Sequence, residues 1–123
     1  GKLMSHILIT DDNSNYRASV IEVLELEGYS LTEAENGVEA LEKIRTNPPD
    51  LILCDLDMPV MDGLEVLRRV KANEKTAHIP FIIITGRTDD ASLKTATDLG
   101  VTDYILKPID IAPLLVKIRK LLG

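Results

Sequence analysis

Residues 51–63 read LILCDLDMPVMDG, an apolar run that ends abruptly in Asp55, Asp57 and Asp62, with a proline and a glycine before the next helical stretch. A short apolar run closed by turn-forming residues has the pattern of a buried strand. Working outward, similar segments lie at His6 to Thr10 and Tyr29 to Ala34 before it, and at Ile79 to Thr85 and Thr102 to Leu106 after it. Stretches of helical period fill the gaps. Tyr16, Val20, Val23 and Leu24 fall on one helical face, as do Leu64, Leu67 and Val70, while Ile111, Leu114, Leu115, Ile118, Leu121 and Leu122 form the clearest stripe. Asn36 followed by Glu39, and Asp62 followed by Glu65, have the form of helix N-caps, and Gly28 and Gly100 sit where helices should end.

Strict alternation of strand and helix with short connections predicts a parallel sheet with right-handed crossovers and helices on both faces. The expected fold is therefore a doubly wound α/β domain of five strands in the flavodoxin-like order 2-1-3-4-5. Its 123 residues suit one domain, and the 45% hydrophobic and 28% charged composition is that of a soluble globular chain. No apolar run approaches the ~18 residues of a membrane span, and no secretory signal opens the chain. Cys54 has no disulfide partner, so a reducing, cytoplasmic location is expected. Fourteen Lys plus Arg against 20 Asp plus Glu leave a net charge of −6, which repels a phosphate backbone and argues against direct nucleic-acid binding. Gly1, Lys2 and Leu3 precede Met4, so the domain is expected over residues 4–123 behind a short added remnant.

In such folds ligands bind beyond the carboxyl ends of the strands, where strand order reverses, here between the first and third strands. Asp11 and Asp12 end the first strand, Asp55 the third, Thr85 the fourth and Lys107 the fifth. Carboxylates gathered at one rim repel one another unless a cation joins them, and an all-oxygen set suits Mg2+. A lysine ammonium and a threonine hydroxyl can bind the oxygens of a transferring phosphoryl group, and an aspartate can accept it.

The segments ILITDDN, LILCDLDMPVMDG, FIIITGRT and DYILKPI resemble the four signature blocks of the response regulator receiver family of two-component signal transduction, and the similarity runs from Met4 onward. The resemblance implies that Asp55 takes a phosphoryl group from a phosphohistidine on a sensor histidine kinase or phosphotransfer protein, becoming a 4-aspartylphosphate. It also implies Mg2+ ligation by Asp12, Asp55 and the backbone carbonyl of Asp57, with Asp11 orienting a metal-bound water. Thr85 and Lys107 match the phosphoryl-binding positions, Tyr104 matches an aromatic switch, and the Lys107-Pro108 bond matches a cis peptide, an ordinary trans turn being the alternative. An output partner of unknown identity would read the fourth helix, fifth strand and fifth helix. Such a domain is a switch that catalyses its own phosphorylation and dephosphorylation rather than a conventional turnover enzyme.

Within that readout face, residues 89–99 read DDASLKTATDL, with only Ala91, Leu93, Ala96 and Leu99 as apolar anchors, a composition compatible with motion. Asp50 and Asp62 read as turn and cap residues, Cys54 as core, and His6 and His78 as surface or structural residues away from the rim. Lys117, Arg119 and Lys120 read either as the wet face of the last helix or as a contact for an acidic partner. Asp57 and Arg87 are expected to face each other and to screen the phosphoryl group from water, the alternative being an exposed pair worth under ~1 kcal/mol. Two rival functions share parts of the pattern: a magnesium-dependent phosphatase, because LCDLDM superficially resembles the D-x-D signature of haloacid dehalogenase-type enzymes, and a phosphorylation-independent pseudo-receiver. Met58 and the third-strand location disfavour the first; the complete set Asp11, Asp12, Asp55, Thr85 and Lys107 disfavours the second.

Overall fold

The central strand β3 (Leu51–Cys54) is buried along its whole length, as an apolar run flanked by helices on both sides of a parallel sheet must be. A computed structural model describes residues 4–123, so the remnant expected at Gly1 to Leu3 lies outside the described residues. Around β3 the chain forms β1 (His6–Thr10), α1 (Ser14–Leu26), β2 (Ser30–Ala34) and α2 (Gly37–Thr46), then α3 (Gly63–Ala72), β4 (Phe81–Thr85), α4 (Asp90–Asp98), β5 (Asp103–Leu106) and α5 (Ile111–Leu122). The five strands pair in the order β2-β1-β3-β4-β5, all in parallel, as expected.

Alternation along each strand sends neighbouring side chains to opposite faces, and this divides the core in two. Ile7, Ile9, Leu51, Leu53, Ile82 and Ile84 meet Val20 and Leu24 of α1 and Leu114 and Ile118 of α5. On the other face Leu8, Ile52, Cys54, Phe81 and Ile83 meet Ala40 and Ile44 of α2, Val66, Leu67 and Val70 of α3, and Ala96 of α4. No helix among the described residues is long and apolar enough to cross a membrane.

Each helix opens on an Asn or Asp whose side chain accepts a backbone N–H of the first turn: Asn13 from Tyr16, Asn36 from Glu39, Asp62 from Glu65, Asp89 from Ser92 and Asp110 from Ala112. Gly28 and Gly100, at φ 93° and 89°, close α1 and α4 in the left-handed region. β4 starts two residues later than the apolar pattern suggests, because Ile79 N–H is spent in a turn on the Thr76 carbonyl and Pro80 has no N–H to give.

Two helix faces differ from expectation. In α3, Val66 is buried beside Leu67 and Val70, whereas Leu64 is only partly covered. In α4, the inward row is Ser92, Ala96 and Leu99, spaced i, i+4, i+7, which turns Leu93 outward with 44% of its surface exposed and leaves Ala91 exposed. A serine replaces the apolar anchor because the Asp89 cap fixes where the first turn begins, and that register points position 92 at the sheet.

Candidate functional site

Because β1 and β3 pair with Thr10 opposite Cys54, the residues that follow them emerge side by side where strand order reverses. Asp55 N–H donates to the Thr10 carbonyl at 2.9 Å, and Asp11 N–H to the Ala34 carbonyl at 3.1 Å, so sheet-like hydrogen bonds hold both acids in place. Asp11 and Asp55 are only 3% and 7% exposed. Asp12, next along the chain, is exposed, yet one carboxylate oxygen from each of the three lies within 4.8 Å of the others.

Lys107 reaches this cluster from the end of β5. Its N–H continues the ladder to the Thr85 carbonyl at 2.8 Å, the Lys107–Pro108 peptide is cis, and its Nζ lies 2.8 Å from Asp11 Oδ2 and 3.3 Å from Asp55 Oδ2. Burial pushes the Asp55 carboxyl above its ordinary pKa; Lys107 opposes this, Asp11 reinforces it, and the Asp57 N–H, 3.4 Å from Asp55 Oδ1, also opposes it. Burial alone would lower the Lys107 pKa, but its hydrogen bond to Asp11 and the charges of Asp55 and Asp11 outweigh that and hold it above the usual value.

Three carboxylates and one ammonium leave the pocket net negative, and every carboxylate donor is a hard oxygen. That set fits a small divalent cation such as Mg2+. The Asp57 carboxylate stands apart from it, exposed, with Oδ1 3.4 Å from the Arg87 guanidinium. The expected pair therefore forms, but Arg87 is shared: its Nε also donates to Asp89 Oδ1 at 3.1 Å. Thr85 is fully buried, and its hydroxyl oxygen accepts the Arg87 N–H at 3.2 Å. The Tyr104 hydroxyl donates to the Arg87 carbonyl at 3.1 Å, tying β5 to the segment between β4 and α4.

Asp50 exchanges backbone and side-chain hydrogen bonds with His6, its N–H donating at 2.7 Å and its carboxylate accepting at 2.8 Å. The His6 ring meets the Thr32 hydroxyl, consistent with a structural histidine. Cys54 is buried, and burial drives its thiol pKa far up, so it is an inert core residue.

Two residues beside the pocket went unrecognised in the sequence. Arg17 is a buried cation whose NH1 donates to the Asp11 carbonyl at 2.5 Å and whose Nε pairs with Glu33 at 2.9 Å, so it secures the acidic loop from behind. Tyr16, which reads as one more apolar position of α1, places its ring 4.2 Å from Lys107 Nζ. The available signal was their position in the turn directly following the Asp11–Asp12 pair.

Comparison with known proteins agrees with this fold. The family model described as the response regulator receiver domain matches residues 7–119. The chain is 40% identical over 119 residues to the response regulator ArlR of Staphylococcus saprophyticus, covering 97% of this chain and 53% of that protein. It is 37% identical over 116 residues to the response regulator MprA of a Mycobacterium species, covering 94% and 50%. The chain thus spans about half the length of the curated relatives it matches. Among solved structures, a response regulator receiver protein from Pseudomonas putida superposes with a TM-score of 0.91 at 30% identity, covering 98% of this chain and 99% of that one. The receiver domain of a signal transduction histidine kinase from Syntrophus aciditrophicus gives 0.90 at 31% identity, covering 96% and 89%.

Proposed function

The chain belongs to the response regulator receiver family of two-component systems, and we propose that it is a switch written at Asp55, which takes a phosphoryl group from a phosphohistidine on a sensor kinase or phosphotransfer protein. A carboxylate oxygen of Asp55 attacks phosphorus, the phosphorus–nitrogen bond breaks, and the imidazole departs with the electron pair. Burial supports the nucleophile by raising its basicity. Lys107, already between Asp11 and Asp55, is placed to bind the oxygens of the arriving group, and Thr85 lies on the neighbouring strand end to bind another. Mg2+, held by Asp12, Asp55 and the Asp57 carbonyl with Asp11 alongside, would supply neutralising charge at those oxygens when bound.

The signal leaves through the segment that Tyr104 and Arg87 join. Drawing Thr85 toward the phosphoryl group loosens its bond with Arg87 N–H, and Arg87 is the residue whose carbonyl holds the Tyr104 hydroxyl. The change reaches α4, β5 and α5, where an output domain or protein would read it. Slow self-dephosphorylation by water resets the switch.

The observation that carries this reading is the meeting of Asp11, Asp55 and Lys107 at the point of strand reversal. Incubation with acetyl phosphate and Mg2+ tests it by intact mass: one phosphoryl group should add to the wild type and none to Asp55→Asn. No gain in the wild type, or an equal gain in the variant, overturns the assignment.

A further inference from the structure

Lys107 carries its ammonium on a flexible four-carbon stem, and two carboxylates alone can be satisfied by several placements of that stem. A third contact restricts it. The Tyr16 ring, from the first turn of α1, has its centroid 4.2 Å from Lys107 Nζ, well inside the ~6 Å reach of a cation–π interaction.

Two observations bear on why this ring lies where it does. The Tyr16 hydroxyl is buried without a hydrogen-bond partner, although buried tyrosines usually find one. The backbone beneath the ring is also fixed: Tyr16 N–H donates to the Asn13 cap at 3.0 Å, and the next residue, Arg17, holds the Asp11 carbonyl at 2.5 Å. The first turn of α1 is thereby tied to the acidic loop, and the ring is held with it.

We propose that Tyr16 is a positioning residue for Lys107, its ring face keeping the ammonium over the acidic pocket so that it meets the phosphoryl oxygens without being gathered from solvent. This rests on Asp55 as acceptor and Lys107 as its phosphoryl-binding partner. Attraction to a ring face does not consume a carboxylate lone pair, so the contact persists whether Lys107 is bound to Asp11 and Asp55 or has turned to an arriving anion.

Beryllofluoride with Mg2+, a mimic of the aspartyl phosphate, is the probe, with affinity read by fluorine NMR and folding by thermal unfolding. Tyr16→Phe keeps the ring and should bind within about twofold of wild type, while Tyr16→Leu should bind about five- to tenfold more weakly. In a Lys107→Ala background, the same Tyr16→Leu change should cause no further loss. Equal loss in both backgrounds would reduce Tyr16 to a packing residue, and Phe and Leu variants with wild-type affinity would also overturn the proposal. Should Tyr16→Leu not fold, stepwise fluorination of a phenylalanine at position 16 weakens the ring face at nearly constant shape; affinity should fall with each fluorine, and a flat series refutes the role. A wild type that binds no beryllofluoride removes the switch reading itself, whereas a binding wild type with additive losses removes only the role of Tyr16.

Discussion

Gly63 lies so close to Asp55 that a Cβ built on it would sit 2.1 Å from the Asp55 carbonyl oxygen. The start of α3 is thus pressed against the backbone of the acceptor residue, and Gly63 N–H donates to the Leu56 carbonyl at 3.0 Å in the same turn. Alanine here must push α3 away from β3. Gly63→Ala is expected to cost about 1–3 kcal/mol in chemical denaturation, in line with other overpacked sites, and to slow the labelling of Asp55 by acetyl phosphate. Unchanged stability and labelling would mean that the loop between β3 and α3 yields freely.

The Asp57–Arg87 pair joins the loop after β3 to the segment after β4, but Arg87 has Asp89 as a second anchor. If the pair shields the phosphoryl group from water, Arg87→Ala should shorten the aspartyl-phosphate lifetime severalfold. Asp57→Asn should shorten it less, because Asp89 still holds the guanidinium. Both side chains are exposed, so neither change should alter stability measurably. Identical decay in wild type and both variants would show that the pair shields nothing.

Asp89 caps α4, and hydrogen bonds from the Ser92 side chain and backbone N–H, with help from Arg87, hold its carboxyl at about 2. An acid depressed below its unfolded value of about 3.9 stabilises the fold above that pH and loses its contribution as pH falls through the folded value. Asp89→Asn retains a capping oxygen but not the charge. The wild type should unfold at a higher temperature than this variant near neutrality, and the gap should close as pH falls from about 4 toward 2. A gap independent of pH would assign the cap's value to geometry alone.

Two buried carboxylates with one lysine between them favour a divalent cation, so Mg2+ should raise the thermal midpoint of the wild type, and less so in Asp12→Asn. Without Mg2+, Asp55→Asn should itself raise the midpoint, because it removes an ion whose charged form burial disfavours and whose neighbour Asp11 repels it. A Mg2+ response that is the same in Asp12→Asn as in wild type would place the cation elsewhere.

The strands and their order were legible because period-2 burial and apolar runs leave a mark that no side-chain detail can blur. The positions of Asp11, Asp12, Asp55, Thr85 and Lys107 at neighbouring strand ends were legible for a related reason: a strand end is a fixed address in a parallel sheet. Ser92 as an inward residue of α4 beside Ala96 and Leu99 was not, since hydropathy alone favoured Leu93, and only the start of the helix decides which residue faces inward. Tyr16 was hidden more deeply. A tyrosine in an apolar stripe looks like core, and its tie to Lys107 arises only when α1 and the end of β5 are brought together. Arg17 was hidden in the same way, its partners being a carbonyl oxygen and a carboxylate on β2.

The helix caps bear on which anions the domain admits. In a parallel sheet with a helix after each strand, the positive ends of the helix dipoles are turned toward the strand tips and would attract any passing anion. Three of the five helices here begin on an aspartate, Asp62, Asp89 and Asp110, so the attraction is met from within the chain. Free phosphate or sulfate therefore approaches a mouth of its own sign. The barrier they meet is electrostatic before it is steric.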